Sequence, residues 1–321
     1  MFCNCLLLSS KLKKRLRYLL AIAVLALVSY QLYTISSELD TAAFWQSVVK
    51  PENGWRISLV LLLMPVNWLL ETRKWQLLLR PFLDWSFRRC LKAVLAGVSV
   101  SAVTPNRIGE IGGRLLQAGK GEYSKVLASS LLGSICQWLV FLLVALPALI
   151  WVSGPFLPEI YRPWRWIGIL PALLLVIAVL LGGTSILSKI ISWLAERFGW
   201  SVAELLTALA NVSFATLLAS TLIAALRFVT YLVQLYLLLG VFGIGLPLVR
   251  GLAGIAAIYL VQAGIPLPPG INLLTRAELG VLLWGNTPET VAASLAAFTT
   301  LFLVNVLLPA LPAYWLIVKK A

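Results

Sequence analysis

The stretch Thr104-Pro105-Asn106-Arg107-Ile108-Gly109-Glu110, with Gly113-Arg114 after it, interrupts an apolar run with a helix breaker and a set of charges. A second interruption, Ile265-Pro266-Leu267-Pro268-Pro269-Gly270-Ile271-Asn272, precedes Arg276 and Glu278. The apolar stretches leading into them, 91–104 and 249–267, are too short or too interrupted for clean membrane spans. The short stretches that follow are 111–118 and 273–285. Irregular backbone at membrane depth is tolerated only where it is buried in protein or lines a polar cavity. Each interruption therefore reads as a re-entrant hairpin of two half-helices, against the alternative of two ordinary kinked spans.

Outward from these motifs the chain is apolar. Of its 321 residues, 60% are hydrophobic and 12% charged, half the charged fraction of a soluble domain. Full-length candidate spans are 16–35, 57–80, 125–151, 165–183, 213–242 and 291–318. Thirteen Trp suit many membrane interfaces. The first span follows Lys11, Lys13, Lys14, Arg15 and Arg17 and lacks a small-residue cleavage site, so it reads as an uncleaved anchor.

The net charge of +14 sits mainly at the ends of apolar segments, which is the positive-inside pattern and not a nucleic-acid patch. The N-terminal cluster places the N-terminus in the cytoplasm. The 36–56 loop has no basic excess, and the segment with Arg73, Lys74, Arg80, Arg88, Arg89 and Lys92 returns to the cytoplasm. Six crossings bring Lys319 and Lys320 back inside. The 185–212 stretch, with Trp193, Glu196, Arg197, Trp200 and Glu204, reads as an interfacial amphipathic pair.

Self-comparison yields a repeat. At an offset of 165, Val126, Ser129, Ala145, Leu146 and Pro147 meet Val291, Ser294, Ala310, Leu311 and Pro312. At an offset of 160, Leu77-Leu78-Leu79 and Phe82 meet Leu237-Leu238-Leu239 and Phe242. The single integral-membrane domain, 1–321, then divides into the 16–35 anchor, repeat 57–151, connecting helix and interfacial segment 152–212, and repeat 213–318. One crossing between the repeats inverts the second copy, so the hairpins enter from opposite faces. The expected fold is an all-α polytopic membrane protein with about six full transmembrane helices plus two re-entrant broken-helix hairpins in inverted repeats, a transporter-like architecture.

Intramembrane ionisable residues are costly and default to function. On a half-helix after Pro105, Arg107, Glu110 and Arg114 share one face, with Asn106 beside them. Arg276, Glu278 and Asn272 form the second set, and Arg227 lies deep in its span. The arginines suit a phosphate oxygen pair, and the carboxylates suit holding those arginines, an amino headgroup or a proton. The alternative role for these charges is structural, pinning the hairpins by buried Arg–Glu pairs. Pro105, Gly109, Pro268, Pro269 and Gly270 are the expected hinges. Arg73 is expected to snorkel. Gln137, Gln262 and Asn305 suit interhelical hydrogen bonds.

The chain has no His, so the commonest general base and metal ligand is missing. Its four Cys, Cys3, Cys5, Cys90 and Cys136, have no metal-ligand spacing, and no P-loop, Rossmann or nucleophile-elbow pattern occurs. No enzyme activity, cofactor or metal is expected.

The 104–114 motif and the Pro-rich turn before Glu278 resemble the lysylphosphatidylglycerol synthase transmembrane-domain family over about 15–318. That family includes the flippase half of multiple peptide resistance factor-like proteins. The resemblance implies a lipid flippase or scramblase moving a phospholipid, aminoacylated or anionic, between leaflets of a bacterial-type inner membrane. Membrane lipid would be the partner, and a homodimer is compatible with such folds. With the chain ending at Ala321, no soluble aminoacyl-transferase domain is expected, so the protein would not make the lipid itself. The alternatives are a secondary transporter of a small solute and a non-transporting subunit of a lipid-processing complex.

Overall fold

The computed structural model describes residues 41–101, 108–119, 121–162, 164–181, 189, 192–193, 212–265, 269–285 and 287–310. These residues form helices, turns and connections, with no strand among them. The 16–35 anchor, Pro105, Asn106, Arg107, Pro268, nearly all of the 185–212 segment and the C-terminal lysines lie outside the described residues.

A short helix α1 (Thr41–Val49) precedes the long α2 (Gly54–Leu79). Then come α3 (Phe87–Ser101) and α4 (Ile108–Leu115), either side of the first interruption. α5 (Tyr123–Val140) runs through one widened turn, Phe141–Ala145, into α6 (Leu146–Val152). α7 is Ile169–Leu181 and α8 is Phe214–Val241. α9 (Leu248–Ala263) and α10 (Pro269–Trp284) flank the second interruption. α11 (Pro288–Phe302) ends in another widened turn, Leu303–Leu307.

Among the described residues, three runs are long and apolar enough to cross a membrane: Tyr123–Val152, Phe214–Val241 and Pro288–Ala310. α2 is 26 residues long but carries Arg56, Glu71, Arg73 and Lys74. At the start of the expected 165–183 span, Trp164–Gly168 form a tighter helix and α7 begins at Ile169. The basic-segment assignment of Lys74 needs correction: its side chain is buried in α2, with Nζ 2.7 Å from Glu71 Oε2. Arg73, one residue earlier, is exposed, since the helix turns it away from the side on which Lys74 is buried.

α2 lies along α8 as the most extensive interhelical pair. Leu78, Leu132, Leu235, Leu238 and Ile255 form one apolar core at this junction. A second core joins Trp68, Trp75, Cys90, Val94 and Val126 from α2, α3 and α5 with Trp85 of the α2–α3 connection. α3 and α4 approach closely through glycine. A Cβ on Gly97 would sit 2.7 Å from the Glu110 carbonyl oxygen, and one on Gly113 would collide with the Ala96 carbonyl. Small residues permit such backbone contact, which stabilises helix pairs by van der Waals packing where lipid supplies no hydrophobic drive. This contact delivers the α4 charges to α2.

Candidate functional site: a buried charge cluster on α2, α4 and α8

Glu71 is the centre of the site. It stands 17 residues into α2 (71 − 54) and is 2% exposed. Its Oε1 accepts a hydrogen bond from Arg114 Nη2 on α4 at 2.6 Å. Its Oε2 lies 2.7 Å from Lys74 Nζ and 3.0 Å from Arg227 Nη1 on α8. Arg114 also approaches Glu110 Oε2 at 3.7 Å, one helical turn before it. Glu110 is the most accessible of the five, at 15% of its side chain. Three cations thus meet two carboxylates.

Aromatic faces line the cations. The Arg114 guanidinium is 5.0 Å from the Trp75 ring centroid, and Arg227 is 5.8 Å from Trp68 and 5.4 Å from Tyr231. Such contacts are worth more where charge is desolvated. Three buried donors, Arg114 Nε, Arg227 Nη2 and Trp68 Nε1, have no hydrogen-bond partner among the described residues. An orphaned buried donor is costly. Glu71 Oε2, though within ion-pair distance of Lys74 and Arg227, is also without a hydrogen-bond partner, so the geometry leaves guanidinium donors free that an anion's oxygens would suit.

A neutral chain of hydrogen bonds continues from this cluster. Arg227 Nε donates to Asn67 Oδ1 at 2.7 Å. Asn67 Nδ2 donates to Asn305 Oδ1 at 3.4 Å, Asn305 Nδ2 to Gln234 Oε1 at 2.9 Å, and Gln234 Nε2 to the Val60 carbonyl at 2.9 Å. Four polar side chains on α2, α8 and the end of α11 are thereby paired inside an apolar bundle. The interhelical role expected of Asn305 is what the structure displays.

Of the residues nominated from the sequence, Arg114, Glu110 and Arg227 come together here, and Gly109 is buried beside them on α4. The second set does not join them. Arg276 donates through Nε to Gln262 Oε1 and lies 5.1 Å from the Tyr259 ring. Gln262 Nε2 donates to the Asn272 carbonyl at 2.7 Å, while the Asn272 side-chain oxygen is buried without a partner. Glu278 is exposed on α10. Pro269 and Gly270 open α10. Among the described residues the two sets named from the sequence have these separate partners, one ionic and one held within α9 and α10.

Sequence reading did not nominate Glu71, Lys74 or Asn67. Glu71 gave a signal, since a carboxylate well inside a 26-residue apolar helix is expensive unless paired. Its nearness to the basic segment after α2 masked that signal. Lys74 was read with that segment.

Comparison with curated proteins and with solved structures returns no match. The family model for the lysylphosphatidylglycerol synthase TM region matches residues 18–308, which takes in every helix described above and both interruptions. The chain is a multi-pass, all-helical membrane protein of the lysylphosphatidylglycerol synthase transmembrane-region family.

Proposed function

We propose that this protein moves phospholipid headgroups between leaflets, as a flippase or scramblase. The observation that carries this is the buried cluster of three cations, Arg114, Arg227 and Lys74, on Glu71, with unspent guanidinium donors on both arginines. A lipid phosphodiester supplies the missing acceptor oxygens, and paired donors in a water-poor bundle hold it strongly. Glu110, at the accessible edge, orients Arg114 and receives the incoming headgroup's polar groups or a proton. Arg107, three residues before Glu110 in the sequence, is the further cation this reading assigns to the phosphate. Arg276 and Asn272 offer a second station, and Glu278 faces an amino headgroup.

The reading includes about six crossings with two re-entrant hairpins in inverted repeats, both termini in the cytoplasm and the inner membrane as the location. The packing of α3 on α4 supports the first hairpin, since Gly97 lies against Glu110 and Gly113 against Ala96, as two antiparallel helices require. At 1.5 Å per residue the 16 residues of α9, which a turn at Gly264 follows, reach about 24 Å against a core of about 30 Å. The order of elements supports the repeat: α2 starts at Gly54 and α8 at Phe214, 160 apart (214 − 54), and both third members carry a widened turn.

The test is headgroup translocation in proteoliposomes with a panel of labelled phospholipids. Wild type is compared with Glu110→Gln and Arg107→Ala, after both variants are shown to be folded. The expected result is translocation by wild type and a loss of roughly tenfold or more in each variant, the equivalent of one charge-assisted hydrogen bond. Translocation of no lipid by folded wild type overturns the reading in favour of a small-solute transporter or a partner subunit.

A further inference from the structure

We propose that a second anionic-phospholipid site lies at the other end of the bundle, where the end of α6, the 153–162 connection, the start of α9 and the end of α10 enclose a cleft. The cleft has a volume of about 730 Å³, within the range of small-molecule sites. Its walls include Trp151, Phe156 and Trp284, and two cations, Arg162 and Arg250, line it.

The ligand class follows from three features. Arg250 is exposed and has no ion-pair partner among the described residues. Arg162 contacts Glu159 at 3.3 Å, but the two side chains are 45% and 88% exposed, so water screens the pair and leaves the guanidinium available. Two such groups on one cleft suit a phosphate's oxygens. The depth points to a lipid and not a free anion. Trp151 is exposed at the end of the Tyr123–Val152 run, Trp164 and Trp166 are exposed in the turn that leads into α7, and indole collects at the headgroup level of a bilayer. A cation pair at that level meets lipid phosphates continuously, with aromatic walls to receive glycerol and acyl carbons.

This cleft is separate from the Glu71 cluster. Gly133 of α5 faces Lys74 and Leu78, each 3.8 Å from where its Cβ would stand. Trp151 is 18 residues further along the same run, about 27 Å at 1.5 Å per residue. The inference requires only that the chain lies in a membrane, and it stands or falls independently of translocation.

The experiment is lipid binding to the full chain in detergent, read by native mass spectrometry. The probes are phosphatidylglycerol, phosphatidylcholine and inorganic phosphate. Arg162→Ala/Arg250→Ala is expected to weaken phosphatidylglycerol binding about tenfold, with phosphatidylcholine, whose ammonium offsets its phosphate, little changed. Glu159→Gln, at a pair that water already screens, is expected to change phosphatidylglycerol binding by no more than about twofold. Arg73→Ala, which removes an exposed cation of α2 outside both sites, is expected to leave it unchanged, which separates the cleft from a general loss of positive charge. Equal phosphatidylglycerol binding by wild type and the double variant overturns the proposal. So does displacement of the lipid by inorganic phosphate at equal concentration, which would make this a site for a soluble anion.

Discussion

Arg227 and Asn67, 160 residues apart, are joined by a 2.7 Å hydrogen bond from Nε to Oδ1. The same offset separates the first residues of their helices, Gly54 and Phe214. The bond therefore links corresponding positions of α2 and α8, and it lies at the end of the ionic cluster next to the neutral Asn–Gln chain. Ion pairs to Glu71 and hydrogen bonds to Asn305 and Gln234 meet through these two side chains. That makes the α2–α8 pair the mechanical centre of the bundle, with α4 docked onto it by Arg114.

Removing the central carboxylate leaves three buried cations without their main counter-charge. Glu71→Gln is expected to cost about 3–5 kcal/mol, as for other buried pairs broken on one side. Arg73→Ala, at an exposed neighbouring position, is expected to stay within about 0.5 kcal/mol. Thermal or denaturant unfolding in detergent reads both. Equal stability of wild type and Glu71→Gln would show that the cluster contributes nothing net.

The glycine contacts between α3 and α4 make a contrast between adjacent residues. Gly113→Ala drives a methyl into the Ala96 carbonyl and is expected to destabilise by about 1–3 kcal/mol. Gly112→Ala has open space at its Cβ and is expected to be neutral or slightly stabilising, since alanine favours helix. A pair of melting curves separates the two outcomes.

The neutral chain is tested at Asn305. Asn305→Leu strands the Asn67 amide hydrogens and the Gln234 carbonyl in an apolar interior. The expected loss is about 1–3 kcal/mol for the unsatisfied groups. Unchanged stability would mean that water replaces the lost partner.

A pH effect is expected at the α3–α5 end, outside the spans. Partial burial pushes the Glu122 carboxyl up, but the Gly119 N–H at 2.7 Å, the Trp85 indole at 3.1 Å and Arg89 at 2.8 Å outweigh it and hold it below its ordinary value. A depressed carboxylate stabilises the fold above its unfolded pKa of about 4.3, and that stability is lost as pH falls through the lower folded value. Stability measured from pH 6 downwards is expected to fall below pH ~4.3, less steeply in Glu122→Gln. Parallel profiles would remove Glu122 from the account.

Much of this protein was legible in the chain alone. Runs of apolar residues, the scarcity of charge and the two Pro-, Gly- and charge-bearing interruptions are local properties, and local properties decide which segments are helical and which lie in lipid. Arg114, Glu110 and Arg227 stood out because a lone charge in an apolar run carries its own cost. Which charges meet is a different matter. Glu71, Arg114 and Arg227 are 43 and 113 residues apart (114 − 71 and 227 − 114) on three helices, and only the packing of α4 and α8 against α2 brings them within 3 Å of one carboxylate. The same packing turned Lys74 inward while Arg73 stayed out, and kept Arg276 with Gln262. Sequence determined the elements and the price of each buried charge. Tertiary structure decided the partners, because an ion pair depends on distance in space and the chain specifies only distance along itself.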